Sequence, residues 1–166
     1  MSEWVEKRLK SMSLEEKVGQ LLCVRILKWF PQVEEMVRLG KVGGAYINRG
    51  DEGTKDPIST SEFTNKLQRL SKTPLLLTSA HEGVNSPVLG STRLIRAMAL
   101  GATRSSQHVE NWARIMAREC KAMGMPWIDA PVLDVNINPI NPIINTRSFG
   151  ERPDLVSEVG AQVIKI

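Results

Sequence analysis

The residues in this sequence that could do chemistry gather just beyond its apolar runs. His81 and Glu82 follow residues 74–79 (PLLLTS), Asp134 stands near the end of residues 127–135 (WIDAPVLDV), and Arg147 lies in the segment after that. Two carboxylates, Glu82 and Asp134, are the raw material for general acid and general base work, although one sequence does not fix their separation. Other readings need no reaction. Arg147 can pair with Glu151 or Asp134 and brace its loop. Asp134 can cap neighbouring backbone amides, and His81 and Glu82 can hydrogen-bond within their own loop. His108, among polar residues at a helix start, reads as solvated rather than catalytic. Cys23 and Cys120 sit in apolar contexts, so buried, reduced thiols are expected, with no disulfide and no metal site.

The elements that must position these groups alternate. Ser13 and Glu16 have the spacing of a capping box, predicting a short helix through Val18. Residues 20–27 (QLLCVRIL) and 42–48 (VGGAYIN) read as strands. Between them, residues 31–39 open with Pro31 and stop before Gly40, which predicts a helix. A second capping box, Ser59 with Glu62, predicts a helix to about Leu70. Residues 74–79 are apolar without alternation, as in a parallel sheet buried on both faces. Val109, Trp112, Ala113, Met116, Cys120 and Met123 recur at helical spacing before Gly124 and read as core. Residues 127–135 make a fourth strand, and Pro153 opens a last helix with Leu155, Val159, Val163 and Ile166 on one face. Strand, helix and strand in alternation imply right-handed crossovers and a parallel sheet, either a barrel or a doubly wound sheet. A dinucleotide-binding sheet would carry G-x-G-x-x-G between strand and helix, and none is present; Gly43 and Gly44 fall inside a strand. No cofactor is expected. A barrel is favoured, but four strands are half of the eight such a barrel closes with.

Composition sets wider bounds. A chain of 166 residues with 42% apolar and 24% charged residues has the means for one folded domain. No run approaches the ~20 apolar residues that span a bilayer, and the amphipathic N-terminal run lacks a signal-peptide core, so a cytoplasmic location without a membrane is expected. The net charge of +4 is spread along the chain without a basic stripe, which argues against nucleic acid.

Five segments, in order, resemble the N-terminal barrel domain of glycoside hydrolase family 3. They are residues 13–22 (SLEEKVGQLL), 42–48 (VGGAYIN), 74–83 (PLLLTSAHEG), 98–103 (MALGAT) and 130–153 (APVLDVNINPINPIINTRSFGERP). The resemblance implies an α/β fold, a partial TIM-type (β/α) barrel of about four parallel strands with flanking helices, in one incomplete domain over residues 1–166. It implies β-linked glucosides or N-acetylglucosaminides as ancestral substrates. It also implies that Arg147, in the RSFG motif, contacts hydroxyls of the sugar, with Glu82, His81 and Asp134 as further rim residues. Departures weaken that binding. Ala80 stands where the family commonly has a sugar-binding aspartate, Val84 where a second glycine is usual, and Ile140 and Arg152 where acidic residues are frequent.

The family's aspartate nucleophile and its Lys-His-Phe-Pro-Gly-His-Gly run match nothing in these residues, so no catalytic residue is assigned and a fragment or degenerate copy, inactive alone, is expected. Retaining glycosidases need two carboxyls typically ~5–5.5 Å apart. An alternative function is a half-barrel that pairs with a second copy or a complementary half, covering open strand edges and an inward face lined by Leu21, Val24, Leu76 and Leu133.

Overall fold

The computed structural model describes residues 2–83 and 86–166; Val84, one of the departures noted above, lies outside the described residues. Helix α1 (Glu3–Ser11) is capped by the Ser2 side chain. Arg8 ties it to the molecule, donating from Nε to Thr73 Oγ1 at 2.8 Å. The Ser13 capping box is formed: Glu16 N donates to Ser13 Oγ at 3.2 Å and Ser13 N to Glu16 Oε2 at 3.0 Å, opening α2 (Leu14–Gly19). Strand β1 (Cys23–Arg25) leads to α3 (Pro31–Arg38), with proline in its first turn and Gly40 at φ +69° just past its end.

Strand β2 (Gly44–Tyr46) leads to α4 (Pro57–Leu70). This helix starts two residues before the expected Ser59 box, because Asp56 is its cap and accepts from Ser59 N at 2.9 Å. Strand β3 (Leu76–Ser79) follows, then α5 (Ala97–Thr103), which the sequence reading had not assigned as a helix, and α6 (Ser106–Ala122). Gly124, at φ +76°, turns the chain after α6 into β4 (Trp127–Ile128). Strand β4 is far shorter than residues 127–135. Asp129 N adds one more bond, to Ser79 O at 2.9 Å, but Pro131 has no N–H to donate and, among the described residues, nothing pairs on the far side. A 3₁₀ turn (Asn145–Arg147) and α7 (Pro153–Ile164) complete the chain.

The four strands are parallel in the order β1-β2-β3-β4. Their register aligns Arg25 with Tyr46, Thr78 and Trp127, and Val24 with Ala45 and Leu77. In parallel strands aligned residues share a face, and neighbours along the chain alternate. One face therefore carries Val24, Ala45 and Leu77, packed with Phe63, Leu67, Cys120 and Met125 under α4 and α6. Ile128 joins this cluster to a second one, between α5, α6 and α7, built on Trp112, Met116, Phe149 and Val159. The other face carries Cys23, Arg25, Tyr46, Leu76 and Trp127 and, among the described residues, has no helix packed over it. Leu76 is 54% and Trp127 51% exposed. Of the four residues expected on this face only Leu76 stands on a strand there, since Leu21 is exposed in the turn that ends α2. Val24 points to the helices, and Leu133 rests on α7, so close that a Cβ on Gly160 would meet its Cδ2 at 2.4 Å.

Candidate functional site

Chemistry-bearing side chains collect at the C-terminal ends of the strands, the end at which parallel barrels place their sites. The RSFG segment is built to hold Arg147 out toward that rim. Its neighbours are anchored: Ser148, fully buried, donates from Oγ to Asp134 O at 2.6 Å, and Phe149 is buried edge-on against Trp112 with ring centroids 6.5 Å apart. The 3₁₀ turn before it closes through Arg147 N to Ile144 O at 2.8 Å.

Arg147 meets Glu82. Its Nε donates to Oε2 at 2.8 Å and Nη2 to Oε1 at 2.5 Å, a bidentate pair between the loop after β3 and the loop after β4. The partner is therefore Glu82, and not Glu151 or Asp134 as the residue pattern suggested. The hydrogen bond to Glu82 raises the Arg147 pKa further, against the opposing pull of burial, with the charge of Glu82 and the fields of Tyr46 and Asp134 adding to it. Behind the pair, Ala97, Trp112 and Pro131 leave a space of about 10 Å³, enough for one water and far too small for a sugar ring.

The other expected residues part company. His81 braces its loop: the ring is 0% exposed, with Nδ1 3.0 Å from Ser86 Oγ. Its Nε2 lies 3.4 Å from Glu119 Oε2 without hydrogen-bond geometry, so that nitrogen is buried and, among the described residues, unpartnered. Burial pulls the His81 pKa down, against the pull of Glu119, and the imidazole has no surface to offer a sugar. Asp134 is exposed, and among the described residues its carboxylate caps no amide; only its backbone oxygen is engaged, by Ser148. His108 is exposed at the start of α6, where its N–H is capped by Ser105. Ile140 is 84% exposed, and Arg152 pairs with Asp154. Cys120 is buried as expected, but Cys23 is exposed on the open face.

Three groups were not singled out from sequence. Arg25 makes a second bidentate pair, with the buried Asp51, at 2.7 Å and 2.8 Å. Tyr46 has its phenol pKa raised by burial and then by Asp129. Asp129 itself stands exposed at the end of β4. The signal was present for Asp129: it is two residues past Trp127, so strand alternation puts both on one face.

The model of the Glycosyl hydrolase family 3 N terminal domain matches residues 13–166. The chain belongs to this family. It is 33% identical over 164 residues to a beta-N-acetylglucosaminidase/beta-glucosidase of Cellulomonas fimi, covering 98% of this chain and 28% of that protein. It is 30% identical over 146 residues to beta-hexosaminidase A of Pseudoalteromonas piscicida, covering 81% and 24%. The fold superposes on a family 3 beta-N-acetylglucosaminidase from Paenibacillus sp. FPU-7 with a TM-score of 0.85 and 27% identity, covering 93% of this chain and 31% of that one. The chain thus spans under a third of the length of these family 3 relatives, and its four strands form part of the family's TIM-type barrel. Among the described residues no helix is long and apolar enough to cross a membrane.

Proposed function

We propose that this chain supplies a sugar-binding rim for β-linked glucosides or N-acetylglucosaminides, and that the 166-residue polypeptide alone does not hydrolyse them. The observation that carries this reading is the Glu82–Arg147 pair. Both oxygens of Glu82 are already engaged by the guanidinium. Neither is free to attack an anomeric carbon or to deliver a proton, so Glu82 and Asp134 do not make the pair of free carboxyls that retaining hydrolysis requires. What the pair can do is present a fixed guanidinium to sugar hydroxyls, with Asp134 beside it. His81 serves by holding the loop that carries Glu82.

Incubation with aryl β-glucosides and aryl β-N-acetylglucosaminides tests the catalytic half of the reading. No release above a heat-killed control is expected; turnover abolished by Glu82→Gln or Asp134→Asn would overturn it. Sugar affinity is expected to be millimolar or weaker, because Ala80 offers no acceptor and one open face leaves much of the ligand in water. Arg147→Ala should abolish the amide shifts that N-acetylglucosamine induces.

A second reading is favoured by the exposure of Leu76 and Trp127 on a face with no helix over it. Two copies could cover each other's open faces and pair their free edges, a closed two-fold arrangement. Light scattering on a sizing column decides it: a dimer supports the reading, and a sharp monomer peak that binds no hydrophobic dye removes it.

A further inference from the structure

The rim has one carboxylate that nothing so far has used. Asp51 is taken by Arg25 and by Asn48 N at 3.0 Å, Glu82 is taken by Arg147, and Asp56 caps α4. Asp129 is exposed and forms no ion pair among the described residues. Its position is fixed by the sheet. Ser79 aligns with Ile128, and Asp129 N continues the ladder to Ser79 O at 2.9 Å, so Asp129 sits beside Ala80 on the adjoining strand. Ile128 points into the core, which turns Asp129 to the opposite, open face. Directly below it on that face runs the row Arg25, Tyr46, Thr78 and Trp127. In that row Thr78 Oγ1 is buried with no hydrogen-bond partner among the described residues. An orphaned buried hydroxyl calls for a polar partner, and a ligand on this face is one that could supply it.

We propose that Asp129 is the carboxylate that accepts sugar hydroxyls in this site, acting with Tyr46 and Thr78 on a neutral pyranose laid against the open face of the sheet. This deepens the reading of the rim as a sugar site and rests on it. The chemistry suits the ligand class. A carboxylate has two acceptor oxygens and can take two neighbouring hydroxyls of one ring, and the phenol and the threonine hydroxyl can each donate or accept. Strands ~4.8 Å apart bring these groups within the span of a single pyranose. Ala80, with only a methyl group, leaves room on the adjoining strand, and its backbone bond to the Tyr46 phenol leaves that hydroxyl one further hydrogen bond to make. The charge also selects: Asp129 and Asp134, both exposed, disfavour sugars that carry a carboxylate or phosphate. That the carboxylate reaches its neighbours is supported by its field, which raises the pKa values of both Tyr46 and Cys23 in addition to their burial.

The test is amide chemical-shift titration of the whole chain with glucose and with N-acetylglucosamine, to ~100 mM, the upper end of the weak range expected for so open a site. Wild type should bind, and Asp129→Asn, which keeps volume and removes the charge, should weaken binding about tenfold or more, as loss of a charge-assisted hydrogen bond does. The double variant Ala80→Asp with Asp129→Asn returns a carboxylate to the same face one strand away and should recover most of the affinity. Melting curves establish that each variant is folded. If Asp129→Asn binds as wild type does while Arg147→Ala does not, the assignment of Asp129 is wrong and the rim reading stands. If the double variant recovers nothing, the carboxylate does not act on the ligand from this face and the proposal falls. If wild type shows no shifts, both fall together.

Discussion

The two faces of the sheet are made from the same strands and follow opposite rules. On the covered face Val24, Ala45, Leu77 and Ile128 interlock with α4 and α6 in a closed apolar cluster. On the open face the aligned residues are mixed in character: a half-exposed arginine, a phenol, a buried threonine hydroxyl without partner, and the exposed Leu76 and Trp127. One face holds the fold together by excluding water, and the other keeps polar groups available at the cost of leaving apolar surface wet. Stability thus resides in one set of alternate residues, and the proposed recognition in the other.

The largest effect expected from this contrast is on neighbouring leucines of β3. Leu77 is 0% exposed, and Leu77→Ala should destabilise by about 2–5 kcal/mol through lost burial and a residual cavity. Leu76→Ala, one residue away on the open face, should change stability by no more than about 0.5 kcal/mol. Urea unfolding of the two variants measures both. A loss at Leu76 as large as that at Leu77 would break the contrast and mean that the open face is covered in solution, as by a second copy.

The cysteines repeat the comparison at smaller scale. Burial, reinforced by Glu119, pushes the Cys120 thiol up to about 12. In the unfolded chain a thiol ionises near ~8.5, so the unfolded state releases its proton first as pH rises. The folded form is therefore fully favoured below that value and loses stability upward toward the folded pKa, by about 2 kcal/mol at a pH near 10. Melting temperatures between neutral and alkaline pH should fall, and Cys120→Val should flatten the decline. Cys23, exposed on the open face, should react with a disulfide reagent in the native state, while Cys120 reacts only on unfolding.

His81 extends the contrast to the acid side. Its pKa is lowered because burial disfavours the charged ring, although Glu119 opposes this. The unfolded chain then binds a proton first as pH falls below ~6.5, and stability present above that value is lost as pH drops through the folded pKa. His81→Gln should reduce the slope of melting temperature against pH in that window. An unchanged slope would mean that the loop bearing Glu82 is not held by a neutral imidazole.

Much of this was legible in the sequence, and the gaps have physical causes. The Ser13 box, the Pro31 and Pro153 helix starts and the α6 stripe were readable because caps and periodicity are local. Strand lengths were not, because a run such as residues 127–135 is rich in apolar residues to its end, while pairing stops earlier, where Pro131 lacks a donor. Helix α5, at seven residues, is too short to display a period. Glu82 and Arg147 were legible as rim residues, but not as partners, since 65 positions separate them and only the fold brings them together. Asp129 was not legible because the family resemblance marks the acidic position at Ala80, and only the β3–β4 register places a carboxylate beside it.

The smallest effect sharpens the open face itself. Tyr46 is the chain's single tyrosine, so its ionisation can be followed by ultraviolet difference absorbance without assignment. Its pKa lies above the ordinary value, first because burial disfavours the phenolate and then because Asp129 and, less strongly, Glu82 add negative charge, while Arg25 pulls the other way. Asp129→Asn removes one negative charge and keeps the size of the side chain, so the midpoint should move down, toward the ordinary ~10 but not reach it, since burial remains. Arg25→Gln should move the same midpoint up, because the opposing positive charge is gone. Added salt should shrink the Asp129 effect more than the burial effect, as screening acts on exposed charges and leaves desolvation untouched. If the midpoint stays fixed in Asp129→Asn, the carboxylate is not beside the phenol, and the open face is not the assembled polar surface that β2, β3 and β4 describe.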